Sequence, residues 1–177
     1  LLDNTFSRLQ EPLRNLLDRI SRCPQVDDSL LHQHFPEQDQ WQFSMQLLEK
    51  MNYDLQAGRQ DKAEHPFTTN FSSRDVRITT RIDEQDLSNM TYSTIHELGH
   101  ALYEQGLPAD QYGLPLGEYA SLSIHESQSR LWENNIGRGM PWCQSFFPVM
   151  QHFFPKQFGG RSADQYYCAV NKVTPSL

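Results

Sequence analysis

The sequence predicts a mainly α-helical fold with one clear β-strand, organised as a single domain over residues 1–177. Several segments repeat apolar residues at three- and four-residue steps, which is the spacing of an amphipathic helix. One of these segments contains two histidines and a glutamate within five residues, 96–100. Residues 75–82 instead alternate apolar with polar side chains and are rich in β-branched residues, which predicts a half-buried strand. A chain of 177 residues is long enough to bury a core.

The N-terminal third is predicted to be helical. A first helix is expected over 5–22, where Pro12 either kinks the helix or opens its main segment. A short helix is expected over 27–35 and a stronger one over 38–56. Residues 59–73 are polar and are predicted to form a loop.

The strand over 75–82 places two sets of side chains on opposite faces. The set predicted to face the core is Val76, Ile78 and Ile82, and the opposite set is Arg77, Thr79 and Arg81. Two interpretations of Arg77 stay open: an ion pair with an acidic side chain, or a contact with a substrate.

The next segment has one apolar helix face, formed by Met90, Thr94, Leu98, Ala101 and Leu102. Ser88 is the predicted N-cap of this helix, and Gly106 is the predicted stop. Gly99 lies inside the helix, where glycine costs about 1 kcal/mol relative to alanine. The glycine therefore indicates that another part of the chain packs closely against the helix at this point.

The motif on this helix predicts a metal site. His96 and His100 are four residues apart, so both imidazoles lie on one face and can bind one ion. Glu97 is rotated away from His96 but stays within reach of a water on that ion. The HExxH pattern therefore predicts Zn²⁺ and metal-assisted peptide hydrolysis. The alternative is a pair of histidines with only a structural role.

A catalytic zinc usually has three protein ligands and one open position, so a third ligand is needed. A second helix is predicted over 117–132, closing near Gly137. The candidates on it are Glu118, His125, Glu126 and Glu133. Glu126 is favoured because it lies near the middle of the helix, whereas Glu133 is closer to the frayed end. His125 is adjacent to Glu126 and cannot point in the same direction. An exposed carboxylate without a metal is the alternative for Glu126.

The C-terminal part is predicted to be helical over 140–158 and 162–172, with Pro148 and Pro155 interrupting the former.

Composition excludes several classes of function. A net charge of −7 argues against nucleic acid as a partner, because phosphate binding requires a basic face. An apolar run of about 18 residues, which a membrane span requires, does not occur in the sequence. Cys23, Cys143 and Cys168 are too widely spaced for a disulfide framework or a CxxC metal site. They are expected to be reduced thiols, which is typical of a cytoplasmic protein.

Four short motifs occur in a fixed order along the chain. They are His65-Pro66-Phe67, Asp75-Val76-Arg77-Ile78-Thr79, the HExxH segment from His96 to His100, and His125-Glu126-Ser127-Gln128-Ser129. Their order resembles that of the thermostable (Taq-type) metallocarboxypeptidase family. Four ordered motifs are more specific than HExxH alone, and the resemblance extends from about Leu55 to the end.

The resemblance implies a helical zincin-like metallopeptidase fold with a small β-sheet beside the HExxH helix. It implies that His96, His100 and Glu126 bind the metal, Zn²⁺ or alternatively Co²⁺, and that Glu97 is the catalytic base. The family removes single residues from peptides with a free C-terminus and is usually homodimeric.

The resemblance also concerns the substrate. It implies that His65 lies near the substrate cleft, and that Arg77 belongs to a strand that can pair with substrate backbone.

Members of the family are much longer than this chain. The resemblance therefore implies that residues 1–177 are the catalytic-motif portion of a longer protein. The family's C-terminal part, with the arginine expected to hold the substrate carboxylate, would lie outside it. Two alternatives stay open: a metalloendopeptidase with the same zinc site, and an inactive metal-binding fragment.

Overall fold

The structure, a computed structural model, describes residues 1–173. Within these residues the fold is mainly α-helical with a small sheet, which confirms the predicted class. The α-helices are α1 (Leu2–Ser21), α2 (Glu37–Lys50), α3 (Leu87–Gln105), α4 (Leu122–Arg130), α5 (Met140–Phe153), α6 (Pro155–Phe158) and α7 (Ala163–Val170). The strands are β1 (Gly58–Lys62), β2 (Thr68–Ser72) and β3 (Asp75–Thr80). Short 3₁₀ turns cover Ser29–Leu31, Ala109–Gln111 and Pro115–Gly117, and a π-helical stretch covers Leu131–Ile136.

The sheet has the strand order β1-β3-β2, with β1 parallel and β2 antiparallel to the central strand β3. The predicted loop over 59–73 was therefore wrong, because it contains β2 and most of β1. Both are edge strands whose pairing is supplied by β3, so their side chains do not need the apolar alternation that signals a strand.

The central strand matches the predicted alternation only in part. Val76 and Ile78 are fully buried and Arg77 is exposed, as expected. Thr79 was predicted to face away from the core but is also buried, and its hydroxyl accepts a hydrogen bond from the backbone of Phe67. Ile82 lies beyond the end of the strand.

Helix boundaries differ from prediction where local backbone chemistry decides them. α2 ends at Lys50 rather than 56 because Asn52 adopts a left-handed backbone with φ of 63°. The amides of Asn52 and Tyr53 then bond back to the carbonyls of Glu49 and Leu48, which is a Schellman ending.

Other predicted helices are shortened or divided. Only the 3₁₀ turn at Ser29–Leu31 forms within 27–35. The predicted helix 140–158 divides at Phe154, because the residue before a proline disfavours helical backbone. Pro155 thus ends α5 as expected, whereas Pro148 lies inside it.

The core lies between α2, α3, α5, α7 and the sheet. Its centre holds four fully buried rings, of which Phe35 and Phe154 pack edge to face at 5.3 Å. The other two are Phe43 and Phe158. By contrast, α1 contains no buried residue, and its apolar side chains are exposed except Ile20, which is half-buried. None of the helices described in residues 1–173 has the length and apolar character needed to cross a bilayer.

The three thiols should differ in reactivity. Cys143 is fully buried, and desolvation raises its pKa to about 11, whereas Cys23 and Cys168 are exposed. Because the thiolate is the reactive form, we expect Ellman's reagent to modify two thiols in the native protein and the third only after denaturation. Three equally fast thiols would contradict the burial of Cys143.

Candidate metal centre

The helix that carries the HExxH segment is fixed at both ends. Its N-cap is Asp86, whose carboxylate accepts from the amide of Ser88 at 2.8 Å, so the predicted cap at Ser88 was wrong by two residues. An aspartate at this position satisfies amides that the first turn leaves unpaired. Gly106 ends the helix as predicted, but in right-handed geometry with φ of −80°.

Gly99 lies where α4 passes across α3. A Cβ atom on this residue would come within 2.6 Å of Cα of Ser129 and 2.9 Å of the carbonyl oxygen of Gln128. This confirms the prediction that another segment packs closely against the helix here. The close approach brings the turn of α4 that contains Glu126 next to the two histidines of α3.

Replacing Gly99 with Ala should therefore destabilise the protein despite the better helix propensity of alanine. Alanine gains about 1 kcal/mol in an unobstructed helix, but overpacking costs about 1–3 kcal/mol. The obstruction is backbone, which cannot move aside without shifting α4. We expect a lower midpoint in urea and weaker metal binding. A Gly99→Ala variant more stable than wild type would contradict this account.

The structure brings His96, His100 and Glu126 together. One potential ligand atom from each lies within 4.8 Å of the others. Nε2 of His100 is 3.3 Å from Oε2 of Glu126, and Nε2 of His96 is 3.7 Å from the same oxygen. Helical spacing places the imidazoles, and the α3–α4 crossing at Gly99 places the carboxylate.

These atoms fit a zinc ion. Ligands at about 2.0–2.1 Å in tetrahedral arrangement are separated by about 3.3 Å, close to the distances found here. Two imidazole nitrogens and one carboxylate oxygen also form a donor set that zinc uses in hydrolytic enzymes.

His96 is oriented from behind by Glu133. Its Nδ1 lies 2.9 Å from Oε2 of Glu133, which leaves Nε2 free to face Glu126. Glu133 is held in turn by Arg130 at 3.1 Å and Arg138 at 3.6 Å. A metal-bound histidine commonly donates the hydrogen of its other ring nitrogen to a carboxylate in this way.

The pKa values of His96, His100 and Glu126 are shifted in different directions. Desolvation and the charge of His96 lower the pKa of His100 to about 4, so its ring is neutral near pH 7. Burial opposes protonation of His96 as well, but the hydrogen bond to Glu133 and the negative charges of Glu97, Glu133 and Glu126 together outweigh it, so the pKa of His96 is raised. Burial opposes ionisation of Glu126, but the hydrogen bond from Arg130 and the positive charges of His96, Arg130 and His100 together lower its pKa. The carboxylate is therefore charged and available to a cation.

Glu97 is held beside the cluster in a different environment. It is 7% exposed, and Oγ1 of Thr68 donates to its Oε2 at 2.5 Å. Desolvation raises the pKa of Glu97, and the bond from Thr68 offsets part of that rise. A carboxyl group with a raised pKa is suited to exchanging protons near neutral pH.

The other candidate ligands lie elsewhere. Glu118 is exposed and precedes α4, which begins at Leu122 rather than 117 because the hydroxyl of Ser121 caps the amide of Ile124. Glu133 lies behind His96 in the π-helical stretch, which ends at Gly137 as predicted. His125 contacts Nδ1 of His100, on the side away from Glu126.

A cleft opens beside the cluster. Its volume is about 510 Å³, and Phe67, Tyr119 and Leu122 line it together with His100 and Glu126. A second cavity of about 430 Å³ is lined by His96, Glu97 and Glu133. Glu97, the predicted base, thus lines both spaces.

The two predicted substrate contacts lie outside the lining of both cavities. His65 is exposed, although its neighbour Phe67 lines the larger cleft. Arg77 forms two hydrogen bonds of 2.8 Å with the carboxylate of Asp75 and packs over the ring of Phe71. This geometry matches the ion-pair interpretation of Arg77, and the substrate roles stay predictions.

Sequence reasoning missed two residues that support the site, Thr68 and Glu104, and named a third, Glu133, only as a possible ligand. Thr68 was hidden in the supposed loop, and nothing local marks it. Glu104 carries a signal in hindsight: it lies four residues after His100, so helical periodicity places it on the face of that histidine. Glu104 is 2% exposed, whereas Glu133 is half-buried and paired with Arg138.

The fold and the cluster together define a helical zincin-like metallopeptidase: an HExxH helix beside a small sheet, with a carboxylate on the following helix. Comparison with known proteins identifies the family. A family model described as carboxypeptidase Taq (M32) metallopeptidase matches residues 1–177. The chain belongs to this family, which confirms the resemblance seen in the motifs.

Individual relatives agree. The chain is 45% identical over 173 residues to thermostable carboxypeptidase 1 of Thermus thermophilus, covering 97% of this chain and 34% of that protein. Carboxypeptidase 1 of Bacillus subtilis is 37% identical over 178 residues, covering 100% of this chain and 36% of the relative. The M32 carboxypeptidase of Deinococcus radiodurans matches with a TM-score of 0.92 and 41% identity, over 98% of this chain and 35% of that one. The chain thus spans about a third of the length of these relatives.

Proposed function

We propose that this chain is the catalytic-motif portion of a zinc-dependent metallocarboxypeptidase that releases single amino acids from peptide C-termini. The observation that carries the proposal is the convergence of His96, His100 and Glu126 beside the buried carboxylate of Glu97. The cleft next to this group is large enough to admit the end of a peptide chain.

The chemistry divides between the ion and the protein. A zinc ion bound by His96, His100 and Glu126 would lower the pKa of a bound water to about 7 and polarise the scissile carbonyl. Glu97 takes a proton from the attacking water and delivers it to the departing amine nitrogen. Thr68 holds the carboxylate of Glu97 in place through its hydroxyl during both transfers.

The preference for a free C-terminus rests on family membership and on the names of the relatives, which are carboxypeptidases. Peptide substrates, zinc rather than another divalent ion, a cytoplasmic location and a homodimer belong to the same proposal. Cobalt is the expected functional substitute for zinc.

The test compares two peptides of one sequence, one with a free C-terminus and one with a C-terminal amide. Metal content is measured by elemental analysis, and products are identified by mass spectrometry, for this chain and for a longer protein that contains it. We expect zinc in both proteins and release of the terminal residue only from the free peptide.

Other outcomes separate the alternatives. Internal cleavage of both peptides would replace the carboxypeptidase with a metalloendopeptidase. Bound zinc without turnover by the longer protein would favour a metal-binding role instead. Absence of zinc from folded protein dialysed against zinc would overturn the proposal altogether.

A further inference from the structure

Three side chains behind the metal cluster form a continuous hydrogen-bonded line. Nδ1 of His100 lies 2.5 Å from Nδ1 of His125, and Nε2 of His125 lies 2.6 Å from Oε1 of Glu104. The line runs away from Nε2 of His100, the nitrogen that faces Glu126. His125 is thus adjacent in sequence to one predicted ligand and bonded to another.

The inner end of the line is buried and fixed. Glu104 is 2% exposed, and its second oxygen accepts from Nδ2 of Asn70 at 2.9 Å. The imidazole of His125 is packed edge-on against the rings of Tyr103 and Tyr119, with centroids 5.3 and 5.2 Å away. Neither the carboxylate nor the ring can turn freely.

The direction of each hydrogen bond follows from the chemistry of its partners. Both oxygens of Glu104 accept, so the proton of its bond to His125 is on Nε2 of His125. In a neutral imidazole the remaining nitrogen is then an acceptor, so Nδ1 of His125 receives a proton from Nδ1 of His100. With its proton on Nδ1, His100 presents an unprotonated Nε2 toward Glu126. The opposite direction would put a hydrogen on the nitrogen that must bind the metal.

We infer that Glu104 and His125 are positioning residues that fix the tautomer and ring orientation of His100 for metal binding. The inference rests on the proposed function, because it assigns a purpose to the orientation of His100. A metal-bound histidine usually donates the hydrogen of its other ring nitrogen directly to a carboxylate, a carbonyl or water. In this protein a second imidazole, that of His125, lies between His100 and the carboxylate of Glu104. His96 has the shorter version, bonded directly to Glu133.

Two variants of the zinc-binding protein test this line of hydrogen bonds. In Glu104→Gln, Asn70 favours the amide oxygen, so the amide nitrogen faces His125 and the line of hydrogen bonds should reverse. In His125→Phe the ring packing between Tyr103 and Tyr119 is kept while both hydrogen bonds are lost. The matched controls are Glu49→Gln and His152→Phe, both at exposed positions.

The first readout is zinc affinity, measured by competition with a chromophoric chelator on protein shown by circular dichroism to be folded. Loss of an outer partner of a ligand typically lowers metal affinity about 10–100-fold, and we expect that range for both variants. The controls should bind zinc as wild type does. Cobalt-loaded protein should show an altered visible spectrum in the variants, because that spectrum reports ligand geometry.

The second readout uses no metal. Two-bond ¹⁵N–¹H correlation spectra of zinc-free wild-type protein labelled at histidine should show His100 protonated at Nδ1 and His125 at Nε2. In Glu104→Gln the proton of His100 should move to Nε2.

The outcomes are separable from those of the proposed function. If the wild-type protein binds no zinc, the proposed metal site is refuted. The spectra of the zinc-free protein still test whether His100 carries its proton on Nδ1. His100 protonated at Nε2 in wild type would overturn the inference. Unchanged zinc affinity in folded His125→Phe would do the same, even with a functional zinc site.

Discussion

Glu97→Gln is expected to lower kcat by about 10²–10⁴-fold while leaving the zinc content unchanged. Glutamine has nearly the same shape as glutamate and can still accept the hydrogen bond from Thr68, but it cannot take a proton from water. Glu97 is not one of the three groups that converge as potential ligands, so the metal should stay bound. The measurements are turnover of a peptide with a free C-terminus and elemental analysis of the same sample.

The control for this variant is Glu118→Gln, which removes a carboxylate from an exposed position outside the cluster. It should retain wild-type turnover. Normal turnover by Glu97→Gln would show that another group transfers the proton. Loss of zinc from the same variant would show that Glu97 contributes to the metal site itself.

Glu126→Ala is expected to abolish stable zinc binding and, with it, hydrolysis. The variant keeps two imidazole ligands but loses the carboxylate. Among residues 1–173, Glu126 is the only acidic side chain that the structure groups with His96 and His100. The loss of affinity should exceed the about 10–100-fold typical of residues that only contact a ligand. The side chain of Glu126 is 48% exposed, and its ion pair with Arg130 contributes little to folding, so the variant should remain folded.

Glu118→Ala is the matched control, since Glu118 was a sequence candidate for the same role. It should bind zinc as wild type does. Competition with a chelator gives both affinities, and thermal unfolding of the zinc-free proteins shows whether the folds are equivalent. Equal zinc affinity in Glu126→Ala and wild type would remove Glu126 from the site.

Local patterns were sufficient to predict the elements that carry the cluster. The apolar face of α3 and the i, i+4 spacing of His96 and His100 are properties of one helix, so the sequence shows them directly. Gly99 was informative because a costly residue inside a good helix needs a reason, and the crossing of α4 is that reason.

The elements that were missed depend on partners distant in sequence. β1 and β2 are polar and become strands only by pairing with β3, so no window of the sequence contains their cause. The same applies to Thr68, which contacts Glu97 from β2 across 29 positions of the chain. The end of α2 is a different case, because the left-handed geometry of Asn52 is a local property that asparagine permits without requiring.

The choice of a third metal ligand also depended partly on local features and partly on packing. Position on a helix favoured Glu126 over Glu133, and the structure places Glu126 at the histidines and Glu133 behind one of them. What position could not show is the π-helical stretch after α4, which carries Glu133 to the back of His96. Local widening of a helix is frequent near functional sites, yet it follows from packing rather than from the pattern of apolar residues.

The most direct test of the metal site is anomalous diffraction at the zinc absorption edge, from crystals of protein dialysed against zinc. We predict one strong peak about 2.0–2.2 Å from Nε2 of His96, Nε2 of His100 and a carboxylate oxygen of Glu126, with one position left for water. A folded protein with no peak at this position would contradict the account. A zinc ion whose fourth coordination position is occupied by a protein ligand would also contradict it.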